Sequence, residues 1–287
     1  MSGSRAPAGS TQWALTAPTV AWLAIFFVAP TLIVVAFSFR PADPYGGFGD
    51  GLSLDTFGAL WSPMWPPILL RTVVLALATT LLCVPIGAVV AYAMARTPKR
   101  WRGALLVAVV VPFWTNFLIR ILAWKVILHP SGMIAGVLTT LRLTDPDTLL
   151  LYRWEAVLAV LVYTSIPFAV LPIYAAAEKL DVSLLEAARD LGASSAQTFL
   201  RVFVPSVGRG VAAAAFMVFV PALGAYAVPE LVGGASSEMI GSKIAQRALA
   251  DRNLPQACAI AVLLCLLALL PLLWRLRDAR TARGGAT

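Results

Sequence analysis

The chain has 287 residues, of which 60% are hydrophobic and only 13% carry a charge. A soluble protein is roughly 25% charged, and a chain of this length cannot bury so much apolar surface in one or two water-soluble cores. The composition therefore excludes secreted scaffolds, disordered chains and nucleic-acid-binding domains, although the formal net charge is +8. It indicates a membrane protein.

Six stretches of the sequence contain no charged side chain, and each is long enough to cross a bilayer, which takes about 20 apolar helical residues. We predict an all-α polytopic membrane protein with six transmembrane helices, at residues 15–39, 72–95, 103–119, 156–177, 210–229 and 254–274. Prolines inside these stretches are expected to bend the helices, which favours a bundle around a pathway. They are Pro30, Pro85, Pro112, Pro167, Pro172 and Pro221.

The distribution of charge predicts the orientation. If the N-terminus is inside, 13 of the 22 Lys and Arg residues fall on cytoplasmic segments, with only five of the 14 acidic residues. Lys and Arg resist translocation and are attracted to anionic lipid. We therefore expect a multi-pass protein of the bacterial inner membrane with both termini in the cytoplasm. The first stretch is too long for the apolar region of a signal peptide, and no A-x-A site follows it.

The domain organisation follows from these stretches. Residues 1–67 are expected to form a disordered tail, the first transmembrane helix and an outside loop. Residues 68–275 are expected to form a five-helix core, and residues 276–287 a basic cytoplasmic tail. The core includes a cytoplasmic loop at 178–209, which is long for a connection between helices, and loops of that length are usually functional.

A short amphipathic helix is predicted within this loop, at residues 182–191. Leu184, Leu185, Ala188 and Leu191 would form one apolar face of it, and Gly192 would end it. A second short helix is predicted at residues 195–202. An apolar patch surrounded by charge is typical of a docking surface.

The segment EAARDLGASSAQTFLRVFVP, residues 186–205, resembles the cytoplasmic signature of the permease subunits of binding-protein-dependent ABC importers. Valines stand at 202 and 204, where that family usually has Ile and Leu. The resemblance implies a type I ABC importer transmembrane domain, in which this helix fits a groove of the ATP-hydrolysing subunit. Glu186 would pair with a basic group there, and Ala187 and Ala188 would allow close approach. The coupling residues that it implies are Leu184, Leu185, Glu186, Ala187, Ala188, Arg189, Asp190, Leu191, Gly192 and Ala193.

Further segments resemble the spermidine/putrescine branch of this family, and the first of its two permease subunits. They lie at residues 111–125, 167–194, 228–244 and 252–259. The resemblance implies polyamine import with a second homologous permease, an ATPase dimer and an extracytoplasmic binding protein as partners, in contact with membrane lipid and without nucleic acid. No cofactor, metal or catalytic residue is expected on this chain. ATP and Mg would bind the partner ATPase, because the sequence has no G-x-x-x-x-G-K-[ST] phosphate loop.

Four residues are candidates for the cargo pathway: Trp114, Asn116, Tyr226 and Glu230. Tyr226 and Glu230 are four residues apart, and a ring with a carboxylate would attract an ammonium group. The alternative is an interfacial tyrosine with a solvated carboxylate. Arg120 is expected to share a face with Asn116. For Arg120 we favour a structural role, either paired with Glu155 or reaching the outer surface, over cargo contact, because a cation repels an amine.

Other functions remain open at this stage. The same machine could import another small amine, an opine-like solute or a sugar-derived solute. A stand-alone secondary carrier would be expected to have inverted repeats and charged residues near the membrane midplane. The predicted helices are nearly free of charge at their centres, which disfavours the carrier, and a membrane-embedded enzyme lacks catalytic groups.

Overall fold

The computed structural model describes residues 8–141, 149–181 and 183–284, and most of these residues are helical. The helices of the first half are α1 (Ala8–Leu23), α2 (Ala29–Phe37), α3 (Asp55–Ala59), α4 (Trp65–Arg96), α5 (Lys99–Val110), α6 (Phe117–Ile127) and α7 (Met133–Thr140). Those of the second half are α8 (Trp154–Ala177), α9 (Ser183–Asp190), α10 (Ser195–Gln197), α11 (Val204–Ser206), α12 (Gly208–Leu223), α13 (Ala227–Val232), α14 (Ile240–Ala245) and α15 (Leu254–Gly284).

The predicted all-α membrane fold is confirmed, and the described residues contain three to five of the six predicted spans. Three helical stretches are continuous and long enough to cross a membrane: Thr16–Phe37, Trp65–Arg96 and Trp154–Ala177. Two further spans are bent pairs, Lys99–Trp114 with Phe117–Ile127 at 84° and Ser195–Ser206 with Gly208–Leu223 at 78°. The apolar stretch Leu254–Leu269 of α15 is shorter than these spans, so the sixth crossing stays a prediction.

The prediction of one unbroken helix at 103–119 is wrong, because the chain turns between Trp114 and Phe117. Of the predicted prolines, Pro112 lies in the short helical turn Val111–Trp114, directly before the 84° bend. Pro85 lies inside α4, and Pro167 lies inside α8, both of which continue past them. The predicted fifth span, 210–229, is also interrupted, since α12 ends at Leu223 and α13 begins at Ala227.

The chain divides into two compact units, one formed by Pro63–Lys243 and the other by the described residues up to Ser62 with those from Ile244 onward. In the second of these units, α2 packs against α15, and the Gly47 N–H donates to the Arg252 carbonyl oxygen at 3.0 Å. The division predicted from the sequence, into residues 1–67, 68–275 and 276–287, stays a prediction.

Helices α4, α8 and α12 form the centre of the Pro63–Lys243 unit, and small residues let them pack closely. A Cβ on Gly87 would lie 2.9 Å from Ala169 Cβ, and a Cβ on Gly210 would lie 2.6 Å from Ala176 Cβ. Such close backbone contact is the usual way in which helices associate within a membrane. One apolar cluster around Phe203 joins α4, α8 and α12 to α9, and a second around Val157 packs α6 and α13 against α8.

Candidate coupling helix and cargo pathway

The predicted amphipathic helix is present as α9, at Ser183–Asp190. Residue 182, where the prediction began, lies outside the described residues. The chain enters α9 from Asp181, whose carboxylate accepts the Ser183 backbone N–H at 3.0 Å. This bond and one from the Ser183 hydroxyl lower the pKa of Asp181 below its usual value of 3.8, because both stabilise the charged form.

The end of α9 is closed by a Schellman motif, with Gly192 in the left-handed region at φ +86°. The Gly192 N–H donates to the Arg189 carbonyl oxygen at 2.9 Å, and the Ala193 N–H donates to that of Ala188 at 3.0 Å. A side chain would be strained in this conformation, so the sequence needs glycine here. The prediction that Gly192 ends the helix is confirmed.

The apolar side chains of α9 point in two directions rather than forming the single face that the spacing predicted. Leu185 is 3% exposed and packs in the cluster around Phe203, whereas Leu184 is 50% exposed and Leu191 is 90% exposed. Ala188 and Ala193 are half-buried. The remaining predicted coupling residues are exposed: Glu186, Ala187, Arg189, Asp190 and Gly192. One leucine thus holds α9 to the bundle, and the other two face away from it.

The second short helix of the loop is longer than predicted and continues to Ser206. It begins with a capping box, in which Ser194 Oγ accepts the Gln197 N–H and Gln197 Oε1 accepts the Ser194 N–H. Tyr92 of α4 packs edge-on against Phe199 and Phe203, with ring centroids 5.3 and 4.9 Å apart. This contact was not predicted from the sequence. The four-residue spacing of Phe199 and Phe203 could have indicated it, because residues four apart lie on the same face of a helix.

Two of the predicted pathway residues lie at the bend before α6. Asn116 is the N-cap of α6, and its Oδ1 accepts the N–H groups of Leu118 at 2.8 Å and Ile119 at 3.4 Å. Its side chain therefore has a structural role, whatever else it contacts. The Trp114 side chain is 80% exposed.

A cavity of about 240 Å³ lies where the fifth span is interrupted. Its walls come from α6, α8 and the α12–α13 break, and no lining residue is charged. They are Phe117, Leu161, Thr164, Ser165, Phe168, Pro221, Ala222, Gly224, Ala225, Tyr226, Ala227 and Val228. Aromatic faces and hydroxyl oxygens can interact with an ammonium group without a fixed counter-ion.

Of the four predicted pathway residues, only Tyr226 lines this cavity, and it is 52% exposed. Tyr226 precedes α13, and its carbonyl oxygen accepts the Glu230 N–H at 3.0 Å, so the two residues are one turn apart. Glu230 is exposed. Trp114, Asn116 and Glu230 do not line the cavity, and their contact with cargo stays a prediction.

Arg120 does not make the ion pair that the sequence suggested. Glu155 instead accepts from Arg153 at 3.0 Å. The Arg120 guanidinium carbon lies 4.7 Å from the ring centroid of Phe113 and 5.8 Å from that of Phe117. Arginine stacked on rings is compatible with a low-dielectric environment, because the ring faces are electronegative. Within the described ranges, no group of three or more His, Cys, Asp or Glu residues could hold a metal ion.

Comparison with known proteins identifies the family. Residues 9–283 match the family model described as "Binding-protein-dependent transport system inner membrane component". The chain is 38% identical over 258 residues to the spermidine/putrescine transport system permease protein PotB of Salmonella typhimurium, covering 89% of this chain and 90% of that protein. It is 36% identical over 250 residues to the protein of the same name from Haemophilus influenzae, covering 87% of each.

A solved structure of similar fold is that of a bacterial ABC transporter involved in the import of the acidic polysaccharide alginate. The TM-score is 0.71 at 20% identity, over 94% of this chain and 95% of that one. This similarity concerns the fold, whereas the sequence matches concern the family. The chain therefore belongs to the inner membrane components of binding-protein-dependent transport systems.

Proposed function

We propose that this chain is the membrane-spanning subunit of an ATP-driven importer that moves spermidine- or putrescine-type polyamines from an extracytoplasmic binding protein into the cytoplasm. The observation that carries the proposal is the 38% identity to a spermidine/putrescine permease along nearly the whole of both chains. Similarity over that length includes the spans and the loops together, rather than one shared motif.

The proposed machine includes a second homologous permease and a dimer of ATPase subunits, which hold ATP and Mg. Both termini would lie in the cytoplasm, as the distribution of Lys and Arg favours. The surface of α9 supports ATPase docking, because Leu184 and Leu191 are exposed although they are apolar. An exposed apolar patch with Glu186 beside it suits a groove with a basic rim.

The uncharged cavity supports a small amine as cargo. It would receive an ammonium group from rings and hydroxyls, with Tyr226 at its wall and Glu230 one turn further along α13. Because the described residues place no carboxylate in the wall of the cavity, the cavity would not hold an ammonium group so tightly that release becomes slow. Trp114 and Asn116 would act at the bend of the third span. Another small amine, an opine-like solute or a sugar-derived solute would use the same machine.

The test is ATP hydrolysis by the chain co-expressed with its neighbouring subunits in lipid nanodiscs, with binding protein and a panel of amines, sugars and amino acids. Stimulation by spermidine or putrescine alone is expected. Stimulation by another solute would keep the importer and remove the polyamine cargo. If no ATPase subunit co-purifies and no solute stimulates hydrolysis, the importer itself is wrong.

The role of α9 has its own test. Glu186→Lys reverses an exposed charge on α9, and we expect loss of cargo-stimulated ATP hydrolysis with normal amounts of protein in the membrane. Glu178→Lys is the matched control, because Glu178 is also exposed and lies in the same loop but outside the coupling residues. Normal stimulation in Glu186→Lys would contradict the docking role.

A further inference from the structure

Arg120 carries a positive charge that no carboxylate of the described residues neutralises. Its Nε and Nη1 atoms are shielded from solvent and have no hydrogen-bond partner in the described part of the chain. The ion pairs found there involve other residues, including Arg153 with Glu155. A buried donor without an acceptor is unusual in a native structure and calls for an explanation.

The guanidinium is instead compensated by aromatic faces. Phe113 and Phe117 lie within cation–π distance of it, and the Phe113 ring stacks on Tyr163, which packs against Trp124. We refer to Phe113, Phe117, Trp124 and Tyr163 as the aromatic cluster. Phe113 precedes the 84° bend and Phe117 follows it, so this contact joins the two halves of the bent span.

The aromatic cluster adjoins the cavity through Phe117. Phe117 lines the cavity together with Phe168 and Tyr226, and it is also one of the two rings beside the Arg120 guanidinium. An ammonium group in the cavity would therefore lie one ring away from a permanent cation. Two such charges repel each other more than in bulk water, because the protein lowers the effective dielectric constant between them.

We propose that Arg120 is a resident cation of the cargo pathway: it occupies aromatic faces that an ammonium group could use, and it repels cations from the cavity in the conformation described here. Opening of the bend would separate the guanidinium from Phe113 but not from Phe117, which lies on α6 with Arg120. The identity of the cargo rests on the proposed function, whereas the electrostatic effect on the cavity does not.

The electrostatic part is tested by thiol labelling in the co-expressed complex in nanodiscs. Cys83, Cys258 and Cys265 are replaced by alanine, and Ser165→Cys places one thiol in the cavity wall. The rates of a cationic and a neutral methanethiosulfonate of similar size are then compared. Arg120→Met should raise the cationic-to-neutral rate ratio about tenfold, as expected when one unit charge near the cavity is removed at an effective dielectric constant of about 20.

Arg120→Lys is the control that keeps the charge, and its ratio should stay near that of the parent. The neutral reagent reports whether the cavity is still accessible, and Arg120→Gln provides a second neutral variant if Arg120→Met fails to assemble. An unchanged ratio in the neutral variants, with an unchanged neutral rate, would overturn the proposal.

The cargo part is tested by uptake. Spermidine carries one ammonium group more than putrescine, so removal of the Arg120 charge should lower the KM for spermidine more than the KM for putrescine. An unchanged ratio of the two KM values would mean that cargo does not meet this charge. If the parent complex imports neither polyamine, the proposed function is wrong, and the labelling ratio still decides the electrostatic part.

Discussion

The loop that carries α9 and the bent span that carries α6 differ in how their polar groups are satisfied. At the start of α9, the Asp181 carboxylate accepts the Ser183 N–H, and at its end the Gly192 N–H donates to the Arg189 carbonyl oxygen. Leu185 fixes the helix to the bundle. At the bend, Asn116 caps α6, but Arg120 keeps two buried donors without partners in the described residues. The ends of α9 thus find hydrogen-bond partners within their own loop, whereas the second region keeps donors without partners among the described residues.

This difference suggests different tasks. A helix whose two ends are held by hydrogen bonds can transmit force to a partner as a rigid body. A region in which two buried donors lack acceptors favours another arrangement in which those donors are solvated or paired. We therefore expect substitutions in the first region to act on stability and docking, and substitutions in the second to act on cargo selection.

The largest effect is expected from the two leucines that face opposite ways on α9. Leu185→Ala removes a side chain that is 3% exposed and should lower the free energy of unfolding by about 2–5 kcal/mol. Leu191→Ala, at a side chain that is 90% exposed, should change it by less than about 0.5 kcal/mol while weakening ATPase stimulation. Reversible unfolding in detergent, together with ATPase assays, measures both. Equal destabilisation by the two substitutions would contradict the buried position of Leu185 and the exposed position of Leu191.

The same residues show how far the sequence could predict the site. The loop, its helix and its glycine stop follow from local rules, so the position of α9 was predicted closely. The assignment of Leu185 to the bundle and Leu191 to the outside was not, because the direction in which α9 faces depends on where α4 and α8 end. A pattern of period 3.6 identifies an apolar side of a helix but not what covers it.

The pathway was harder to predict for a related reason. Residues 103–119 contain no charged side chain, and hydropathy does not distinguish a straight helix from one broken at Thr115 and Asn116. Asn is a preferred N-cap, which was the available signal for a new helix beginning at Phe117. The contact of Arg120 with Phe113 depends on that bend, and the sequence predicted in its place a pairing with Glu155 or a reach to the outer surface.

A smaller effect is expected at the end of α9. Gly192→Ala forces a Cβ into the left-handed region and should destabilise the helix end by about 1–2 kcal/mol. Gly208→Ala is the matched control, because Gly208 lies in the first turn of α12 with open space around it. That substitution should be neutral or slightly stabilising. Hydrogen exchange of the α9 amides and unfolding measurements would detect the difference. Unchanged stability in Gly192→Ala would contradict the Schellman motif.

Asn116 allows a structural role to be separated from a cargo role. Asn116→Ala removes the cap of α6 and should cost about 1 kcal/mol, whereas Asn116→Asp keeps an accepting oxygen and should preserve most of that stability. If Asn116 also meets cargo, the added negative charge should alter the KM for polyamines at unchanged stability. Normal KM values in Asn116→Asp would leave Asn116 as a cap alone.

The weakest effect concerns the start of α9 and depends on pH. The pKa of Asp181 is lowered by the N–H and hydroxyl of Ser183, so the folded state binds the proton less tightly than the unfolded state does. Its contribution to helix stability is therefore complete above the usual value of 3.8 and is lost as the pH falls through the lowered pKa. Hydrogen exchange of the first α9 amides between neutral and strongly acidic pH should show this loss in the parent. Asp181→Asn has no carboxyl to titrate, so its exchange should lack that step; a step of the same size in both proteins would assign the change to another group.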